Sequence, residues 1–315
     1  LGVLYAPNRG AYRIRYTGDF IKLFGIGDLY LRFDMANPSL SNFFGLGNNT
    51  EIDPLKGIKY YRARYSYVDA DALMRLRLAN VIKVAIGPTI YRYWYEPKDN
   101  RDKILQDPAV IGLDPESVFR SKTYLGARAQ IDINNLNNEL FPTRGIQWLT
   151  EYTQLAGVKG NARSIGKLTS DMSVYASLSM PAKLVAVMRL GAGHIFNDHF
   201  EYFQALNLGA NNFLRGFRKN RFSGQSLAYG SIELRARLFR SRSYLLPGDV
   251  GLVAFNDVGR VWMKNDPSRR WHNAYGGGLY YVPFNMVIVS ATMAFSKEEN
   301  MLFNFSVGTK INITF

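Results

Sequence analysis

Cysteine is absent from all 315 residues. That removes disulfides and thiolate metal sites, and it is compatible with an oxidising compartment, where a stray thiol is a liability. Also lacking is any apolar run approaching the roughly 18 to 20 residues that a transmembrane helix needs. A helical membrane protein is therefore excluded. Histidine is scarce: His194, His199 and His272 are far apart in sequence and lack a Glu or Asp at metal-ligand spacing, so they read as incidental polar or interfacial residues. No Gly-x-Ser-x-Gly elbow, phosphate-cradling loop or His-Glu-x-x-His occurs. Gly276-Gly277-Gly278 has no helix after it and reads as a strand with a kink or a close backbone approach. The expectation is a chain that is not an enzyme, with no catalytic residues, metal or cofactor. No basic segment followed by an apolar one opens the chain, so the reading expects a signal peptide already removed and an N-terminal soluble domain missing from this sequence.

What the chain does have is apolar and aromatic residues, 47% and 14% of the total, spread in alternation along its length. Its 39 Lys and Arg exceed 25 Asp and Glu, a net charge of +14 that would ordinarily suggest nucleic acid or an anionic surface. The distribution argues otherwise. Arginines alternate singly with apolar residues, as in Tyr12-Arg13-Ile14-Arg15-Tyr16 and Leu234-Arg235-Ala236-Arg237-Leu238, which is the pattern of a two-faced strand and of a positively lined interior. Nucleic acid is not expected as a partner.

Period-2 segments run from end to end, at roughly 11–22, 28–36, 58–78, 81–95, 120–132, 144–155, 170–179, 183–195, 226–239, 250–263, 272–282, 285–296 and 302–315. In the last, Phe303, Phe305, Val307, Thr309, Ile311, Ile313 and Phe315 alternate with Asn304, Ser306, Gly308, Lys310, Asn312 and Thr314. A soluble sandwich would alternate too. Three features favour a membrane barrel instead. Short turns such as Ala79-Asn80 and Met180-Pro181-Ala182 alternate with long connections at 37–57, 96–119 and 196–225. Aromatic clusters, Tyr91, Tyr93, Trp94 and Tyr95 and again Trp262 and Trp271, sit at segment ends where an interfacial girdle would lie. And the chain stops at Phe315 as an outward strand residue. The predicted fold is all-β: a single transmembrane domain over 1–315, a closed antiparallel barrel. Unpaired amides in hydrocarbon are too costly to leave an edge, so the strand number is even, about sixteen, or fourteen if the chain is complete.

The long connection before segment 226–239 reads Leu208-Gly209-Ala210-Asn211-Asn212-Phe213-Leu214-Arg215-Gly216-Phe217. It is followed by Glu233 on one strand and by Phe255-Asn256-Asp257-Val258-Gly259-Arg260-Val261-Trp262 on the next. Together with the turn Phe141-Pro142-Thr143-Arg144-Gly145 and the terminal Lys310-Ile311-Asn312-Ile313-Thr314-Phe315, these motifs resemble the barrel of the BamA, TamA and FhaC superfamily, also called the bacterial surface antigen family. The resemblance implies that the long loop folds into the lumen. It implies further that Arg215, in the motif Arg215-Gly216-Phe217, pairs with Glu233 and Asp257, that Phe255, Gly259 and Trp262 form the strand motif, and that Ile311, Ile313 and Phe315 carry a C-terminal assembly signal. A guanidinium fork suits two carboxylates, Gly216 would let the loop backbone approach the wall, and Gly259 would relieve crowding beside it.

By that resemblance the protein resides in the bacterial outer membrane and assists insertion or translocation of polypeptides by opening between its first and last strands, a form of strand exchange at an edge. Its expected partners are outer-membrane lipid and lipopolysaccharide, unfolded outer-membrane protein or a passenger polypeptide, and assembly lipoproteins. Loop style, in Phe43-Phe44-Gly45-Leu46-Gly47-Asn48 and in 208–217, is similar to barrels fused to a metallophosphoesterase or patatin-like domain, so a second reading is an anchor or exporter for a fused hydrolase. A third is an anion-selective porin.

Overall fold

Alternation of apolar and polar residues over ten or more positions forms strands, and strands dominate this chain. The computed structural model describes residues 1–7, 10–23, 25, 27–210, 214–264 and 266–309. Among these described residues, one antiparallel sheet of fourteen strands follows chain order: β1 (Gly2–Ala6), β2 (Ala11–Phe20), β3 (Asp28–Asn37), β4 (Ser66–Ala79), β5 (Ile82–Trp94), β6 (Lys122–Asn134), β7 (Gly145–Lys159), β8 (Ile165–Ser177), β9 (Leu184–Ile195), β10 (Ser226–Ser241), β11 (Gly248–Trp262), β12 (His272–Pro283), β13 (Val287–Ser296) and β14 (Asn300–Thr309). Strands β2 to β14 are 10 to 16 residues long, enough to cross a bilayer's hydrocarbon, which takes about 9–11 tilted residues. β1 has only five residues and pairs with β2 alone among the described residues. The segment at 58–78, read from sequence as strand throughout, is a short helix at Gly57–Tyr60, a two-residue bridge at Arg62–Ala63 and then β4. Ile311, Ile313 and Phe315 lie outside the described residues.

The sheet has an outer and an inner face. On the outer face, Ile232, Leu234, Leu252, Leu279, Phe303 and Phe305 are exposed. A continuous apolar surface of that kind belongs in lipid, since soluble monomers rarely show large apolar patches to water. On the inner face, side chains from distant strands meet: Tyr229 on β10 donates to Asp171 on β8, and Arg128 on β6 lies 3.1 Å from Asp71 on β4.

The inner face differs from its sequence reading in charge. A positively lined interior was expected, whereas most inner arginines are paired with acids. Arg13 and Arg15 hold Asp34, Arg32 and Arg128 hold Asp69 and Asp71, Arg237 faces Asp249, and Arg189, Arg215 and Arg235 converge on Glu233. Desolvation explains the pairing, because a charge turned away from water is held cheaply only beside its opposite.

Nor do all the expected girdle aromatics lie at the interface. Tyr91, Tyr93 and Tyr95 point inward, opposite in parity to Trp94, and join a cluster with Phe43, Phe44, Tyr61, Leu105, Val118 and Tyr202 beneath the long connections. Tyr93 stacks on Phe203 at 4.0 Å and its hydroxyl donates to the Val118 carbonyl at 2.8 Å. Trp262 and Trp271 do occupy the outer face, edge to face at 5.8 Å with the Arg260 guanidinium against them.

Candidate functional site on the inner face

Leu206–Leu208 and Phe222–Gly224 pair as a short ribbon outside the main sheet. The ribbon brings the described residues 214–221 against the inner wall. Apolar contact seats it: Leu208, Leu214, Phe217 and Phe222 are fully buried in one cluster with Ile195, Leu227, Val261 and Ala274. Two backbone bonds tighten the tip, Leu214 N to Gly209 O at 3.1 Å and Phe217 N to Leu214 O at 3.1 Å. Between these two buried anchors Arg215 has one direction left, toward the wall.

There its guanidinium makes a bidentate pair with Asp257, Nε to Oδ2 at 2.9 Å and Nη2 to Oδ1 at 2.7 Å, while Nη1 donates to Glu233 Oε2 at 2.5 Å. The backbone N–H of Arg215 donates to Asp257 Oδ2 at 2.9 Å. Ser231, on the strand of Glu233, joins the network, accepting from Arg215 Nη2 at 3.0 Å and donating to Asp257 Oδ1 at 2.7 Å. Strand register accounts for the meeting: Ser231 pairs directly with Asp257 across β10 and β11, and Glu233 is two residues along the same face. The Phe255 ring underlies the guanidinium, 3.5 Å from its carbon to the ring centroid, a distance at which a cation and an aromatic face attract. Burial disfavours the charge on Arg215, and the hydrogen bonds and charges of Asp257 and Glu233 more than reverse this, raising its pKa above the ordinary guanidinium value. Asp257 and Glu233 are 0% and 4% exposed, so each carboxylate depends on these donors.

Two glycines make the close approach possible. A Cβ on Gly216 would stand 2.5 Å from the Ala274 Cβ and 3.0 Å from the Phe295 carbonyl oxygen, and one on Gly259 would stand 2.9 Å from Leu208. Phe217 is fully buried. Trp262 is on the outer face and takes no part in the Asp257 environment, since five residues separate it from Asp257 and the strand period is two.

Several contacts have no motif to announce them. The Arg215 carbonyl accepts from Asn304 on β14 at 3.0 Å and the Gly216 carbonyl from Ser296 on β13 at 2.9 Å. Arg218 bonds Glu299 at 2.8 Å, and Arg221 sits 2.9 Å from the same carboxylate. His272, read as incidental, is buried: Nδ1 faces Glu298 at 2.8 Å, Nε2 faces the Asn48 carbonyl at 3.0 Å, and its ring stacks on Phe222 at 3.8 Å. Residues 41–50 close over the ribbon through Gly47 N to Ser223 O at 2.8 Å and Asn220 Nδ2 to Ser41 Oγ at 2.9 Å. A single polar residue on a strand carries too little local signal to show that it meets a loop far away in sequence.

An in-order sheet of long antiparallel strands, apolar outside and ion-paired inside with a loop braced on its inner wall, defines an outer-membrane β-barrel protein. Residues 90–311 match the Omp85 superfamily domain, and the chain belongs to the Omp85 superfamily. Its fold is similar to that of solved barrels. BamA from Haemophilus ducreyi lacking POTRA domains 1–3 is 16% identical with a TM-score of 0.62, the match covering 95% of this chain and 62% of that one. CdiB from Escherichia coli is 15% identical with a TM-score of 0.62, covering 95% and 53%, and CdiB from Acinetobacter baumannii is 13% identical with a TM-score of 0.56, covering 94% and 49%. The chain thus spans about half to three fifths of the length of these relatives. No curated protein matches the sequence.

Proposed function

We propose that this chain forms the membrane barrel of an outer-membrane assembly or translocation protein, which assists polypeptides into or across the membrane through a lateral seam between the barrel's first and last strands and through the lumen. The reading rests on where the Arg215 loop is fastened. Besides Asp257 and Glu233, it is held by Ser296 and Asn304 on the last two strands, so its seating bears on one side of the proposed seam. A strand edge exposed at such a seam offers a template to which an incoming strand can add. Local thinning of the bilayer beside it would lower the cost of inserting that strand. No hydrolysable cofactor is needed for such an exchange.

A passive anion-selective pore fits less well, because the inner arginines are neutralised by acids and the Arg215 ribbon fills part of the inner face.

The test is folding of an unfolded outer-membrane barrel substrate into liposomes that contain this protein, read as heat-resistant folded band on a gel. Acceleration by the native protein, lost when a disulfide locks the seam between the barrel's first and last strands and restored on reduction, is the expected result. Equal folding rates in liposomes with and without the protein reject the proposal.

A further inference from the structure

The turn between β6 and β7, residues 135–144, belongs to the short-turn end of the sheet, opposite the long connections, yet it does not project away from the sheet. Its own hydrogen bonds make it a compact unit: Asn137 Oδ1 accepts from the N–H groups of Thr143 and Arg144, each at 3.1 Å, and Asn138 Oδ1 accepts from those of Leu140 and Phe141, each at 2.9 Å. The unit folds across the inner face to β11, β12 and β13, four to six places along the sheet from β7. Leu140 and Phe141 pack against the cluster of Val253, Phe255, Tyr280, Val282 and Ala294, with the Phe141 and Tyr280 rings 5.0 Å apart. Arg235 covers Phe141 from the other side, its guanidinium carbon 5.1 Å from the ring centroid.

Arg235 also holds Glu233, Nε to Oε1 at 2.7 Å. Glu233 is therefore shared between the two ends of the molecule: Oε1 takes Arg235, which covers the short-turn unit, and Oε2 takes Arg215, which seats the long-loop ribbon. Phe255 makes a second bridge, because its ring lies under the Arg215 guanidinium and in the cluster that receives Phe141.

We propose that the β6–β7 turn is a second closure of the inner face, at the short-turn mouth, and that Arg235 is the positioning residue tying its seat to that of Arg215. An extended polypeptide arriving at that mouth would meet the Phe141 seat first, and an aromatic side chain of such a polypeptide fits the place between Arg235 and Tyr280 once Phe141 leaves it. With Phe141 displaced, Arg235 loses one of the two rings it covers, Glu233 loses part of what fixes its carboxylate plane, and Arg215 keeps Asp257 but holds Glu233 less firmly. Arrival at one mouth thus loosens the loop fastened beside the other. The coupling stands on these contacts alone, whereas its use by a polypeptide rests on the function proposed above.

The chain contains no cysteine, so Leu140→Cys and Ser223→Cys each provide a single thiol whose maleimide labelling reports the turn and the ribbon respectively, Ser223 being fully buried. In the barrel held in detergent micelles, Arg215→Ala is expected to speed labelling at position 140. Phe141→Ala and Arg235→Ala are expected to speed it at position 223 by the same factor, about tenfold, because coupling between sites is reciprocal and typically amounts to roughly 5–150-fold. Arg235→Lys, which keeps the charge on Glu233 without the planar cover for Phe141, is expected to restore part of the protection at position 223. Arg32→Ala breaks an inner ion pair on β3 and is expected to change neither rate. Unchanged labelling at 140 in Arg215→Ala, or at 223 in Phe141→Ala, overturns the coupling. So does equal acceleration by Arg32→Ala, which would mean general loosening. Should Arg215→Ala not fold, Phe141→Ala with the thiol at 223 decides alone. None of these outcomes depends on insertion activity, so loss of the coupling and loss of the assembly role are separately visible.

Discussion

Arg215 and Asp257, 42 residues apart in sequence, form a bidentate ion pair in which the same aspartate also accepts the arginine's backbone N–H. The aspartate therefore positions the loop chain as well as its charge. Removing either side chain leaves the other buried without its partner, a change that costs about 3–5 kcal/mol for buried pairs. Arg215→Ala and Asp257→Ala should each lower resistance to guanidinium unfolding in micelles by about that much. The double variant should be little worse than the poorer single one. Strictly additive losses would show that the two residues act separately.

The close approach at Gly216 yields a second expectation. Gly216→Ala places a methyl 2.5 Å from the Ala274 Cβ, and overpacking of this kind costs about 1–3 kcal/mol. Protease cleavage within 209–221 should become faster. Ala274→Gly should recover part of the protection, but not all, because the Phe295 carbonyl still stands 3.0 Å from the added carbon. No change in cleavage would contradict the packing described.

Acid should loosen the long-loop end. Burial alone would raise the pKa of Glu298, but its hydrogen bond from His272 and the charges of His272, Arg270 and Arg221 hold it below the ordinary value of 4.5. A depressed carboxylate contributes stability that is present above that ordinary value and lost as pH falls through the lower, folded one. Hydrogen exchange at residues 268–272 should accordingly accelerate below about pH 4.5. In Glu298→Gln that acid limb should be missing; its persistence would place the titrating group elsewhere.

The lipid-facing assignment can be checked through tryptophan. Trp262 and Trp271 lie on the outer face near the long-loop end. In variants retaining only one of them, fluorescence should be quenched by lipids brominated high on the acyl chain more strongly than by lipids brominated near its end. Equal indifference to both lipids would remove these residues from the interface, and the membrane orientation with them.

Some of this was open to reading from the chain alone. Alternation in Phe303, Phe305 and Val307 against Asn304 and Ser306 is a property of neighbours, so it identifies a strand and its faces wherever the strand ends up. Runs such as Tyr91, Tyr93 and Tyr95 show what alternation leaves out. The three share a face, but whether that face meets lipid or a packed cap depends on Phe203 and Val118, brought from other connections.

Sequence by itself determined the all-β character and the two faces of each strand, because these are encoded at short range with a period of two, while Arg215, Glu233 and Asp257 stood out through the resemblance of their motifs to a known family. Tertiary structure alone decided that the inner arginines are neutralised, that Ser296, Asn304 and Glu299 hold the ribbon, and that Phe141 reaches Arg235 across the sheet. Those meetings depend on strand register and on the curl of the sheet, which bring together residues that share no local pattern.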